Sequence, residues 1–321
     1  MSGTALTAPV FADARRRRRQ DDPTETARID GVARARRTLL DVLERDGSIL
    51  LAGRCRDLAA RILGRADACC ESGQGLMPPA DLRHHPAGAD YRLAPRLGPA
   101  DLARGVTFLR SATSAVNLCD PMVRCPEIAR IAFDDEILDL AGAYLGCPAL
   151  LGYVKLTRSF VSDFAPFDTE EFHVDGNARR ILKAFVHLHD TDVDSGAHIY
   201  VRGSQRDPIA GWDVGARATE TQIVARYGRE RIITQVARAG DVLLEDTSGF
   251  HRRGKARLRD RTLLILNYVA HEEYGGGGAR TRLPRKLHAK LSPRGRRASA
   301  LLELCTAHDV RLDEGIESEG T

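Results

Sequence analysis

"EEFHVDGNARR", residues 170–180, sets His173 and Asp175 on either side of one valine, in a polar stretch between two apolar runs. In an extended segment, positions i and i+2 project to the same side, so this imidazole and this carboxylate can meet one ion. The pair can equally be two polar loop residues bonded to each other. What decides is whether the chain supplies a third ligand, a scaffold to carry it and an anchor for a cosubstrate.

The scaffold is legible around the pair. "ALLGYVKLTRSF", "KAFVHLHD", "AHIYVRG", "RIITQVA", "DVLLED" and "TLLILNYVA" are apolar or alternating runs separated by turn-forming residues, which predicts strands. Strands this closely spaced predict a β-sandwich or small barrel. Upstream, "TARIDGVARARRTLLDVLERDG" puts Val32, Leu39, Leu40 and Leu43 on one helical face, "SILLAG" reads as a short strand, and "CRDLAARILGRADA" and "DDEILDLAGAYLG" read as helices. These elements are expected to flank a mainly β core.

A third ligand is available in "GDVLLEDTSGFHRRGKARLRDRTLLILNY". His251 follows a strand and a turn containing Gly249. Two histidines and one carboxylate on one face of an ion suit non-haem Fe(II) and leave positions open for substrate and O2. Ten residues on, Arg261 opens the next apolar strand, and a buried guanidinium can grip a carboxylate through two parallel hydrogen bonds.

In this order of motifs the chain resembles the phytanoyl-CoA dioxygenase family of Fe(II)/2-oxoglutarate oxygenases. The matching elements are "FHVDG", "HLHDTDVDSG", "YVRGSQR" and "AGDVLLED", followed by His251 and Arg261. "LERDGSILLAGRCRDLAARIL" and "DEILDLAGAYLGCPALLGYVKLT" extend the likeness upstream, to roughly residues 38–272. There are departures. Gln205 stands where the family often has a histidine, and "HRRGKA" replaces the usual stretch after the distal histidine, so Arg257 and Arg259 compete with Arg261.

The resemblance implies a double-stranded β-helix, the jelly-roll or cupin-like core, over about residues 150–272. It implies His173, Asp175 and His251 as Fe(II) ligands, 2-oxoglutarate as cosubstrate held by Arg261, O2 as oxidant, and succinate and CO2 as products. With Asp175 filling its coordination position, hydroxylation is expected over halogenation. The substrate is expected to be a small molecule, a specialised metabolite or an acyl conjugate, chosen by the segments 71–118 and 205–231.

Other readings stand beside this one. In "KAFVHLHD", Lys183, Phe185, His187 and His189 share one strand face, so Lys183 and His187 could touch 2-oxoglutarate or substrate, or that face could meet solvent. His187 and His189 with Asp194 form a loose cupin-type alternative metal site. A catalytically silent jelly-roll binding protein would keep the barrel but break the triad, which is complete here.

Composition bounds the rest. The 321 residues are 43% hydrophobic, enough for one large core, and no apolar run approaches the ~20 residues of a membrane span. The run Arg15 to Arg19 alone exceeds the net charge of +4, so the rest of the chain is close to neutral. With no interleaved aromatics this basic run predicts a solvated leader, and no nucleic-acid or membrane partner is expected. Seven cysteines, an odd count without framework spacing, predict reduced thiols and a cytoplasmic protein. The expected organisation is a basic disordered leader (1–25), one oxygenase domain (26–285) and a basic helical extension (286–321).

Overall fold

The computed structural model describes residues 23–73, 75–77, 99–162, 170–175, 181–207, 217–270 and 281–306. The basic run Arg15–Arg19, the glycine run at 275–278 and most of the long Pro/Gly/Arg/His stretch lie outside them. The chain divides into two compact units, Met1–Thr38 and Leu39–Thr321, and the sheets lie wholly in the second.

Ten helices are described: α1 (Pro23–Asp46), α2 (Arg56–Ser72), α3 (Pro99–Leu102), α4 (Gly105–Ala112), α5 (Pro121–Arg124), α6 (Glu127–Ala132), α7 (Asp135–Leu145), α8 (Glu220–Tyr227), α9 (Arg285–His288) and α10 (Pro293–Ala298). The strands are β1 (Ser48–Leu51), β2 (Leu76–Met77), β3 (Ala115–Leu118), β4 (Leu150–Ser159), β5 (Phe172–His173), β6 (Ile181–His187) and β7 (His198–Val201). They continue with β8 (Arg217–Ala218), β9 (Ile232–Gln235), β10 (Val242–Asp246), β11 (His251–Arg253), β12 (Arg261–Val269), β13 (Arg282–Pro284) and β14 (Glu303–Cys305).

Local chemistry sets several boundaries. Asp134 caps α7 by accepting from the backbone N–H groups of Glu136 and Ile137, and Gly146, at φ 75°, ends it in the left-handed conformation. Thr219 and Gln222 form a reciprocal capping box at the start of α8.

Twelve strands build two antiparallel sheets, a larger one in the order β1-β10-β6-β12-β4-β3-β2 and a smaller one in the order β8-β5-β11-β7-β9. This is the expected mainly β jelly-roll core with flanking helices. Alternation along the strands of the larger sheet separates its two faces. One face presents Leu182, Ala184, Val186, Leu244, Leu264 and Leu266 to a core shared with Leu58 and Ile62 of α2 and Ile137 and Tyr144 of α7. The other carries Phe185, Leu243, Leu263 and Ile265, a separate small cluster facing the second sheet. His198 of β7 stacks over Phe185 at 4.6 Å between ring centroids, which marks this face as the barrel interior.

One expectation fails. The extension expected to be helical from residue 286 is not purely so where it is described: after α9 and α10, Glu303–Cys305 pairs in parallel with Arg282–Pro284. Within the segment 71–118, α2 runs to Ser72, β2 pairs with β3, and α3 begins at Pro99. Both strand pairs are short, and their residues carry no period that distinguishes them from turns.

Candidate active site

Each of the three predicted ligands is placed by backbone pairing. His173 and His251 are directly opposite in β5 and β11. Asp175 lies just past β5, its N–H donating to Thr247 O at 2.9 Å. Ligand atoms of His173, Asp175 and His251 all lie within 4.8 Å of one another. The histidine rings are 4.3 Å apart between centroids, and His251 Nε2 is 3.5 Å from Asp175 Oδ2.

The ring orientation of both histidines is set from behind. His173 Nδ1 is 2.8 Å from Glu171 O, and His251 Nδ1 is 3.0 Å from Gly249 O. A carbonyl only accepts, so each Nδ1 carries the proton and each Nε2 presents a lone pair toward Asp175. Backbone-fixed tautomers of this kind are how proteins prepare imidazoles for metals. Burial lowers the pKa of His173 and lowers that of His251 much further, keeping both rings neutral. The donor set therefore fits a divalent transition metal.

Lys183, predicted to touch cosubstrate or substrate, lies against the acid of this cluster. Its Nζ is 2.5 Å from Asp175 Oδ2, and Tyr153 adjoins the same ammonium. Burial alone would raise the Asp175 carboxyl, but Lys183, with His251 and His173, holds it far below the usual carboxylate range. Burial likewise opposes the lysine's charge, and Asp175 and Tyr153 overcome it.

Arg261 opens β12 on the interior face and is 2% exposed. Its Nη1 donates to Gly196 O, and among the described residues its Nε has no partner and no carboxylate pairs with it. Burial, with a smaller contribution from Arg253, pulls its pKa down to about 9, so it is still a cation at neutral pH. The competing arginines differ. Arg259 is exposed and paired with Asp192, and the backbone of Arg257 is tied to Asp194 O. Gly196, at φ 77°, packs against the backbone of Gly254 where any Cβ would collide, which brings its carbonyl under the guanidinium.

The alternative cupin-type site does not form. His189 Nε2 accepts from Thr262 N at 2.8 Å and its Nδ1 meets Asp190 O, so neither nitrogen is left for an ion. His187 is fully buried, with Nδ1 3.2 Å from Thr191 Oγ1 and Nε2 unpartnered. Burial foremost, then Arg261 and His198, pushes its pKa down to about 3.

Four interior residues escaped the sequence reading. Arg253, two positions after His251, reaches Glu170 at 2.8 Å and Ser159 at 3.1 Å. His198 and Glu245 meet at 2.7 Å across the two sheets. Burial pushes the Glu245 carboxyl well up and the His198 imidazole well down, so they meet as a neutral pair. Asn267 is buried in β12 with neither side-chain polar atom bonded. A signal for the last three existed, since each is a polar residue on the inward phase of an otherwise apolar strand.

This is the fold of the 2-oxoglutarate-dependent jelly-roll enzymes. Among solved structures the chain is similar to the epimerase SnoN in complex with Fe3+, alpha ketoglutarate and nogalamycin RO, with TM-score 0.53 and 18% identity over 78% of this chain and 93% of that one. A second crystal structure of SnoN, described as a non-heme alpha ketoglutarate dependent epimerase from nogalamycin biosynthesis, gives TM-score 0.51 with the same identity and coverage. No protein-family model and no curated protein matches the sequence.

Proposed function

We propose that the protein is an Fe(II)- and 2-oxoglutarate-dependent oxygenase of the phytanoyl-CoA dioxygenase type that hydroxylates an unactivated C–H bond of a small molecule. The observation that carries this reading is the pairing of two features inside one barrel. Two imidazoles with Nε2 lone pairs and one carboxylate converge within 4.8 Å, and a buried arginine nearby has no carboxylate partner among the described residues.

In this reading His173, Asp175 and His251 hold the metal from one side. Arg261 takes the distal carboxylate of 2-oxoglutarate, because an unpaired buried charge is heavily penalised and each here neutralises the other. Phe185, Leu243, Leu263 and Ile265 keep the space between them apolar and exclude bulk water. When bound, iron and 2-oxoglutarate supply the oxidising power, with succinate and CO2 as products. Lys183 holds one oxygen of Asp175 and so orients the other. Because Asp175 occupies its place, no coordination position is left for a halide, which favours hydroxylation over halogenation.

The complete triad speaks against a silent binding protein. All seven cysteines lie among the described residues and none is in a disulfide, which supports a reducing, cytoplasmic setting. No described helix is long and apolar enough to cross a membrane. The deciding experiment is anaerobic addition of Fe(II) and 2-oxoglutarate to the metal-free protein. A weak visible charge-transfer band, followed by succinate on admitting O2, is the expected result; a folded, iron-loaded sample without the band overturns the proposal.

A further inference from the structure

The larger sheet carries a continuous polar row on its interior face. The registers make Tyr153 of β4 the partner of Asn267 in β12, Asn267 the partner of Lys183 in β6, Lys183 the partner of Glu245 in β10, and Glu245 the partner of Ser48 in β1. One step along the same strands the corresponding positions are Ile265, Phe185 and Leu243. Polar side chains are thus confined to one level of the barrel, bounded by an apolar belt.

That level coincides with the candidate metal cluster, since Lys183, in the middle of the row, touches Asp175. Arg261 lies six residues before Asn267 on the same strand, about 20 Å of extended chain away. A cosubstrate running from Arg261 to the metal therefore leaves the polar row on the far side of the ion. This is where a substrate must present the bond to be oxidised.

Two members of the row, Asn267 and Glu245, are also incompletely satisfied. Asn267 is 1% exposed, and neither its Nδ2 nor its Oδ1 has a partner among the described residues. Glu245 uses Oε1 on His198, while Oε2, fully buried, has no partner among the described residues. The register with β4 shifts directly after Asn267, so the pairing is irregular at this point. Buried polar groups without partners are costly and rare, and in a native chain they call for something that completes them.

We infer that Tyr153, Asn267, Lys183 and Glu245 form the wall against which the substrate lies, and that the substrate is a hydroxyl-rich small molecule rather than an acyl chain. The inference rests on the oxygenase reading and names its substrate class. An amide offers a donor and an acceptor side by side, the complement of neighbouring hydroxyls, and Glu245 lies in the same row on the other side of Lys183. An acyl chain laid on this wall would leave the Asn267 amide and Glu245 Oε2 unsatisfied.

The test uses the full-length protein loaded with Fe(II) and 2-oxoglutarate and reads succinate release in the presence of two probe pools. One holds glycosides and aminocyclitols; the other holds medium- and long-chain acyl-coenzyme A thioesters. The expected result is several-fold stimulation by the first pool and none by the second. Asn267→Leu should abolish that stimulation, as the loss of a polar match at a buried site requires. The same change should raise Tm by ~2–4 °C, because an apolar group replaces an unsatisfied one. Glu245→Leu, which removes both oxygens, serves as the second variant and should weaken the stimulation. Stimulation by the acyl pool, no stimulation by either pool, or an Asn267→Leu protein that loses Tm yet keeps its stimulation would each overturn the inference while leaving the oxygenase reading intact. If the 2-oxoglutarate complex itself does not form, both fall.

Discussion

His173 and His251, far apart in the chain, sit directly opposite each other across β5 and β11, each with Nδ1 tied to a backbone carbonyl two residues earlier. The pairing makes the two imidazoles one preformed unit, which needs only Asp175 to complete a face of donors. Removing one ring should cost metal affinity more than it costs folding. His173→Ala and His251→Ala should each weaken Ni(II) or Fe(II) binding by ~100-fold or more. Isothermal titration checks this, with far-ultraviolet circular dichroism expected to stay unchanged; undiminished affinity would remove that ring from the site.

Lys183 and Asp175 form a nearly buried pair, and breaking one leaves the other charge stranded. Lys183→Met should therefore destabilise the metal-free protein by about 3 kcal/mol. A divalent ion can replace the lost ammonium beside Asp175, so adding Ni(II) should recover more Tm in the variant than in the parent. Thermal unfolding with and without the metal reads both quantities, and equal recovery in the two proteins would mean that Asp175 is not a ligand.

The arginines are separated by burial. Arg261→Leu should raise the concentration of 2-oxoglutarate needed for the anaerobic complex by ~100-fold, a loss of about 2.7 kcal/mol. Arg259→Ala, which breaks only an exposed pair with Asp192, should change it less than about twofold. The reverse order of effects would move the anchor to the loop.

How much of this was readable in the sequence depends on range. The triad and Arg261 were legible from their order among the long apolar runs: His173 and Asp175 precede one, His251 follows another and Arg261 opens a third, so order along the chain stood in for position in space. The longer strands were legible for the same reason. The two- and three-residue strands β5, β8 and β11 were not, since they hold no period, yet β5 and β11 carry both histidines. Lys183 was placed on the right face but its pairing with Asp175 was not legible, because strand alternation gives a side and says nothing of what the opposite sheet presents. Glu245, His198 and Asn267 show the same limit: their inward phase is local, while the register that aligns Asn267 with Glu245 through Lys183 is a property of three strands together.

His187 carries the pH dependence most open to measurement. It is fully buried, and Arg261, His198, Asp241 and His189 are the charged or titratable groups around it. Its pKa in the folded protein is about 3, against 6.5 for a free imidazole. Below pH 6.5 the unfolded chain therefore takes up a proton that the folded chain refuses. Stability from this group is complete above pH 6.5, falls as the pH drops, and levels off near pH 3. Between pH 7 and pH 5 the loss is about 2 kcal/mol, at 1.36 kcal/mol per pH unit below the unfolded pKa. His187→Gln keeps a hydrogen-bonding group beside Thr191 but cannot protonate. Its Tm should fall less than the parent's over that interval, by roughly 4 °C for a domain of this size. Parallel acid limbs in the two proteins would show that the proton is taken up elsewhere.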